Sequence, residues 1–185
     1  KQASMISKRL IVFLIVLAML AAGPLQLSAT NGASPEYTLK AVFLYNIALF
    51  VEWPEGAFTG EQSPLTICVL GNNPFGEALD SLSRQTVKNR KLAVRQINRV
   101  EEAAGCQILF VSATEKMRLD DILTAVRNWN VLTISDLDNF AYAGGIVQLI
   151  TLEDKIRFEI NLKSAQRAKL KISSKLLKLA RDIIE

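Results

Sequence analysis

Three short apolar runs, LTICVLG (65–71), QILFVS (107–112) and VLTISD (131–136), are separated by stretches with helical spacing. Continuous runs of this kind suit strands covered on both faces, and such strands pair in parallel with helices packed on the sheet. The intervening segments fit that scheme. NPFGEALDSL (73–82) reads as a short helix with Pro74 near its start. KLAVRQI (91–97) alternates as a strand, and SATE (112–115) is a capping-box pattern ahead of a helix over KMRLDDILTAVRN. VLTISD is followed by a short helical LDNFAYA and a turn at Gly144-Gly145. GIVQLITLEDKIRFEINL reads as a hairpin turning at Glu153-Asp154. From Lys163 to Ile184 the spacing is helical again, with a break near Ser173-Ser174. The order predicts an α/β fold: a single Rossmann-like domain whose mostly parallel sheet ends in an antiparallel C-terminal strand pair and a C-terminal helix.

The N-terminal stretch belongs to a different category. KQASMISKR (1–9) carries three positive charges and no negative one, and Leu10 to Ala22 is an unbroken apolar block of 13 residues ended by Gly23-Pro24. A spanning helix needs roughly 20 apolar residues, so this is expected to be a signal peptide over residues 1–29, cleaved after Ala29. Residues 30–185 are then the exported domain. Their second apolar stretch, VFLYNIALFVEWP (42–54), is read as a helix from Glu36 with Leu39, Val42, Phe43, Ile47, Phe50 and Val51 on one face. Lys40, Asn46 and Glu52 fall off that stripe, and Trp53-Pro54 is expected to end the helix. Trp53 is read as a packed aromatic rather than a binding group.

Charge and side-chain chemistry narrow the function. Removing Lys1, Lys8 and Arg9 from 22 basic residues leaves 19 against 18 acidic ones, a net of +1. Residues 155–185 hold nine Lys/Arg and three Asp/Glu, so the basic charge is concentrated in the tail. Export and near-neutrality argue against a nucleic-acid partner, whereas a basic tail suits an acidic protein surface or an anionic membrane. The chain has no histidine, which removes the commonest general base and zinc ligand. GNNPFG (71–76) lacks both the P-loop lysine and the three-glycine dinucleotide spacing, and is read as a strand-to-helix turn. The pairs Glu101-Glu102, Asp120-Asp121 and Asp136/Asp138 are read as caps and solvated faces. No catalytic, metal-binding or cofactor-binding residue is expected. Two cysteines, Cys68 and Cys106, favour a disulfide in an exported chain.

The segments LKAVFLYNIALFVEWP, ICVLGNNPFG, CQILFVS, VLTISD, FAYAGGIVQLI, IRFEINL and LKISSKLLKLA, in this order over roughly Tyr37 to Ala180, resemble the YfiR-like family. The resemblance implies a periplasmic, non-enzymatic α/β protein that represses an inner-membrane diguanylate cyclase by contacting the cyclase's periplasmic portion. That contact lowers cyclic di-GMP signalling and biofilm formation. It also implies a Cys68–Cys106 disulfide, while the family's second cysteine pair has no counterpart here. In IRFEIN, alternation places Ile156, Phe158 and Ile160 toward the core and Arg157, Glu159 and Asn161 on a polar face expected to be wet. That polar face, with Lys171 and Lys175 of the basic tail, supplies the partner-binding candidates. No span is expected after cleavage, and self-association as a homodimer is left open. The alternative is a periplasmic small-ligand sensor using the GNNPFG crevice.

Overall fold

A computed structural model describes residues 34–185. The expected signal peptide and its cleavage site lie outside the described residues. Helix α1 (Pro35–Leu49) begins where Ser34 accepts a hydrogen bond from the Tyr37 N–H and Pro35 takes the first turn. It ends at Leu49, short of Trp53-Pro54, because the chain then enters strand β1 (Val51–Glu52). The buried face of α1 also differs from the predicted stripe. Ala41, Leu44, Ile47 and Ala48 pack inward, Leu39 and Val42 are exposed, and Lys40 is buried at 4% exposure. With apolar residues all round, spacing alone cannot say which side of this helix meets the core.

The main sheet is assembled from β2 (Leu65–Leu70), β3 (Thr86–Val87), β4 (Arg90–Ile97), β5 (Ile108–Val111), β6 (Leu132–Ser135), β7 (Val147–Leu152), β8 (Lys155–Asn161) and β10 (Asp182–Ile184). A separate antiparallel pair joins β1 to β9 (Lys171–Ile172). The eight strands lie in the order β10-β8-β7-β6-β5-β2-β4-β3. Pairings from β4 through β7 are parallel, β7–β8 and β3–β4 are antiparallel, and β10 joins β8 in parallel. This is the expected α/β class with an antiparallel C-terminal hairpin. The hairpin turns at Glu153 and Asp154, both at positive φ (49° and 58°), as a tight two-residue turn requires.

Helices cover both faces. On one side α1, α2 (Glu77–Leu82), α4 (Leu162–Arg167) and α5 (Ser174–Leu177) pack with Ile67, Val69, Phe110, Ile134, Phe158 and Ile160. On the other, α3 (Leu119–Val126) packs with Cys68, Leu70, Leu109 and Val111. Among the described residues no helix is long and apolar enough to cross a membrane.

Three local expectations are corrected. The SATE box does not form, since Ser112 makes no side-chain cap and the following residues adopt a 3-10 turn (Ala113–Arg118) before α3. Glu115 instead pairs with Arg118. LDNFAYA is a run of turns rather than a helix. The segment from Lys163 onward is not one interrupted helix: α4, β9, α5 and β10 follow in turn, because its backbone is recruited into two sheets.

Candidate functional site

In the parallel part of the sheet the chain runs from β2 outward to β4, then crosses back to β5 on the other side. A crevice at the carboxyl ends of β2 and β5 is where such sheets usually hold ligands. Here protein groups occupy it. Gly71 has φ +87°, and a Cβ there would stand 2.5 Å from Thr114 Oγ1 and 2.7 Å from Glu115 Oε1. The Asn72 N–H donates to Thr114 Oγ1 (3.2 Å), and Phe75 is fully buried behind the turn. GNNPFG is therefore a packed strand-to-helix turn.

Beside it lies an ion cluster that the sequence did not disclose. Lys40 Nζ is 2.6 Å from Asp136 Oδ2, which follows β6, and 2.6 Å from Glu36 Oε1 one helical turn earlier. The Tyr37 hydroxyl donates to the same Asp136 oxygen at 2.8 Å, and the ammonium sits 4.5 Å from the Tyr37 ring centre. Burial, then the hydrogen bond to Asp136, raises the Tyr37 phenol well above its ordinary range. The Lys40 hydrogen bond, followed by that of Thr151, holds Glu36 below its ordinary range. Asp136 is thus an ion-pair partner rather than a cap or a solvated carboxylate. The available signal was a lysine within an apolar helix and an aspartate ending a buried strand. Neither residue alone says they meet.

The disulfide is present, Cys68 on β2 to Cys106 just before β5, with Cα atoms 6.0 Å apart. The parallel pairing of Ile67 with Ile108 brings the two strands together, and both cysteines lie in the core on the α3 side.

The partner-binding candidates divide into two groups. Arg157, Lys171 and Lys175 are exposed. Glu159 and Asn161 are not, at 7% and 8% exposure, which corrects the expectation of a wet strand face. The turns of residues 137–145 close over that part of the sheet. The Asn161 side chain donates to the Ala141 carbonyl (2.8 Å), and its oxygen accepts from the Ser164 N–H as the cap of α4. Gln148, opposite Glu159 in the β7–β8 register, accepts from the Ala141 N–H (3.2 Å). Gly145 makes this cover feasible, since a Cβ there would fall 2.1 Å from the buried Phe140 ring. Glu159 then pairs with Arg181 at 3.5 Å beneath the β10 edge.

Lys171 and Lys175 fall together on β9 and α5, where Ser173 caps the short helix and its N–H donates to the Phe50 carbonyl (2.9 Å). Lys171 stands opposite Glu52 in the β1–β9 register. Arg157 lies in β8 of the larger sheet and makes no ion pair among the described residues. Trp53 is half-buried, packs edge-on to Phe58, and donates its indole N–H to the Gln107 carbonyl at 3.0 Å. A cleft of about 310 Å³ opens beside it toward Lys88 and Arg90. Among the described residues no group of three or more His, Cys, Asp or Glu side chains is placed to hold a metal.

A sequence profile of the family described as YfiR/HmsC-like matches residues 37–181. Among solved structures, the chain is similar to a conserved domain protein from Vibrio cholerae, with a TM-score of 0.55 and 13% identity over 82% of this chain and 61% of that one. It also matches, more weakly, the ABC domain in complex with L-Trp from Streptococcus pneumoniae, with a TM-score of 0.47, 12% identity, 64% of this chain and 55% of that one. At such identities the Vibrio likeness bears on the fold alone.

Proposed function

The chain belongs to the YfiR/HmsC-like family, and from that membership we propose that it is a periplasmic regulator which represses an inner-membrane diguanylate cyclase by binding the cyclase's periplasmic portion. The observation that carries the reading is the family match across residues 37–181, nearly the whole described domain. The chemistry on the page agrees with it. The switch-point crevice is filled by side chains, and the ionisable groups beside it are tied into the Lys40 cluster, where they brace α1 against β6. Surface remains for contact.

The docking surface of this reading is the exposed basic tail, with Lys171 and Lys175 at its centre and Arg157 as an outlying contact. Exposed cations of this kind steer association with an acidic or amphipathic segment and act mainly on the rate of encounter. Glu159 and Asn161 support that surface from below: Asn161 caps α4, which leads into β9, and Glu159 holds Arg181 at the start of β10. The fold is held by the Cys68–Cys106 bond, which the oxidising periplasm would preserve.

The test is cellular. In a strain that lacks its own repressor and carries a diguanylate cyclase with a periplasmic domain, exported protein should lower cyclic di-GMP. A variant retained in the cytoplasm, at matched abundance, should not. Unchanged cyclic di-GMP with the exported protein overturns the reading. A second reading, a small-ligand sensor, draws on the open cleft beside Trp53 rather than on GNNPFG. It predicts a ligand-dependent change in Trp53 fluorescence with no effect on the cyclase.

A further inference from the structure

Strand β4 runs from Arg90 to Ile97, but its outer edge is paired only at its start. Val87 and Thr86 of β3 lie opposite Arg90 and Lys91, and the Leu92 N–H donates to the Gln85 carbonyl (3.3 Å). Beyond Leu92 no strand borders that edge among the described residues. On the inner side, the Ile97 carbonyl accepts from the Gly71 N–H at the end of β2 (3.1 Å). Backbone groups alternate in direction along a strand. With Leu92 facing outward and Ile97 inward, Val94 and Gln96 face outward. Their N–H and C=O groups have no strand to pair with, and such an edge is a template for an extended chain.

The same stretch is basic. Residues 84–99 hold six Lys/Arg and no Asp or Glu. Lys88 and Arg90 donate to the Val51, Gly60 and Ser63 carbonyls, and Arg99 pairs with Glu102. Arg84, Lys91 and Arg95 are exposed and in no ion pair among the described residues. Lys91, Ala93 and Arg95 share one face of β4. Cations on an open edge keep two copies of the chain from pairing there, because like charges opposite one another repel. The same arrangement attracts a strand of opposite sign.

We propose that this edge binds an extended acidic segment of another protein, which joins the sheet beside β4. The segment's backbone pairs with Val94 and Gln96. One carboxylate meets Arg95 across the strands, and others reach Lys91 and Arg84 where β3 stops. Opposite charges directly across a strand pair stabilise it. A membrane or a nucleic acid supplies the charge but no backbone to complete the ladder. The site uses none of Arg157, Lys171 and Lys175 and does not rest on the repressor reading.

The test uses the folded chain and a capped peptide, acetyl-Thr-Glu-Val-Glu-Val-Glu-Thr-amide, followed by calorimetry and by amide hydrogen exchange in NMR. The peptide should bind saturably and slow exchange at the Val94 and Gln96 N–H groups. Arg95→Glu, an exposed change, should leave the melting temperature nearly unaltered and weaken binding by about tenfold or more, as loss of a charge-assisted contact implies. Lys171→Glu/Lys175→Glu should bind the peptide as wild type does. The same peptide N-methylated at each residue keeps its charge but loses its ladder donors, and should bind at least about tenfold more weakly. No saturation by the peptide, or unchanged affinity in Arg95→Glu, overturns the proposal. Equal binding by the N-methylated peptide also overturns it, since charge alone would then suffice.

Discussion

Glu159 and Asp182 stand side by side in the parallel β8–β10 pairing, yet Glu159 is buried and Asp182 is exposed. Asp182 accepts a hydrogen bond from Tyr142 at 2.9 Å, which raises the Tyr142 phenol above its ordinary range. Glu159 is covered by the 137–145 turns and reaches Arg181. One strand edge therefore carries an acid that faces a partner or water, and beneath it an acid that holds the edge in place.

Replacing Glu159 by Lys should consequently destabilise the domain, by about 2–4 kcal/mol, because a buried cation would then face Arg181. Asp182→Lys, on the exposed side, should shift stability by about 0.5 kcal/mol or less. Urea unfolding of the two variants measures the contrast. Equal, small effects would mean Glu159 is solvated.

Lys40 and Asp136 form the second test. Lys40→Met alone leaves Asp136 buried without its counter-ion and should cost about 3–5 kcal/mol. Adding Asp136→Asn should recover part of that loss, so the double variant is more stable than the sum of the two single ones predicts. Strict additivity in a double-mutant cycle would show the pair to be uncoupled.

Tyr37 should give the domain a pH-dependent limb. Its phenol is raised in the folded state, so the folded chain keeps a proton that the unfolded chain loses above about pH 10. The stability from this group is fully present below that pH and is lost as pH rises through the folded value. Tyr37→Phe should flatten the alkaline fall in melting temperature relative to wild type. An identical slope in both proteins contradicts the assignment.

Removing the Cys68–Cys106 bond as a double alanine variant should lower stability by about 4 kcal/mol, the chain-entropy value for a sequence separation of 38. Denaturant unfolding with and without reductant checks it. Reductant should reproduce the loss in wild type and leave the variant unaffected.

How much of this was legible depended on whether the cause was local. The β2 run Leu65–Leu70 is buried at every residue, and that continuity is visible in the letters themselves. The hairpin at Glu153-Asp154 was equally plain. The tail was not, because Leu170, Leu177 and Ile184 repeat at a seven-residue spacing compatible with a helix, while β9 and β10 are set by pairing with β1 and β8, distant in the chain. The burial of Glu159 and Asn161 follows from a loop folding over the sheet, which period-two alternation does not encode. Likewise, Lys40 was placed off the apolar stripe because its counter-ion Asp136 lies 96 residues away.

The central claim is contact between the basic tail and the periplasmic portion of a diguanylate cyclase, and direct binding tests it best. The purified domain, the Lys171→Glu/Lys175→Glu variant and that periplasmic portion would be compared by calorimetry at low and physiological salt, after urea unfolding confirms equal stability. The account predicts saturable binding by wild type, weakened by salt and reduced about tenfold or more in the double variant. Absence of wild-type binding, or equal affinity of wild type and variant, would contradict it.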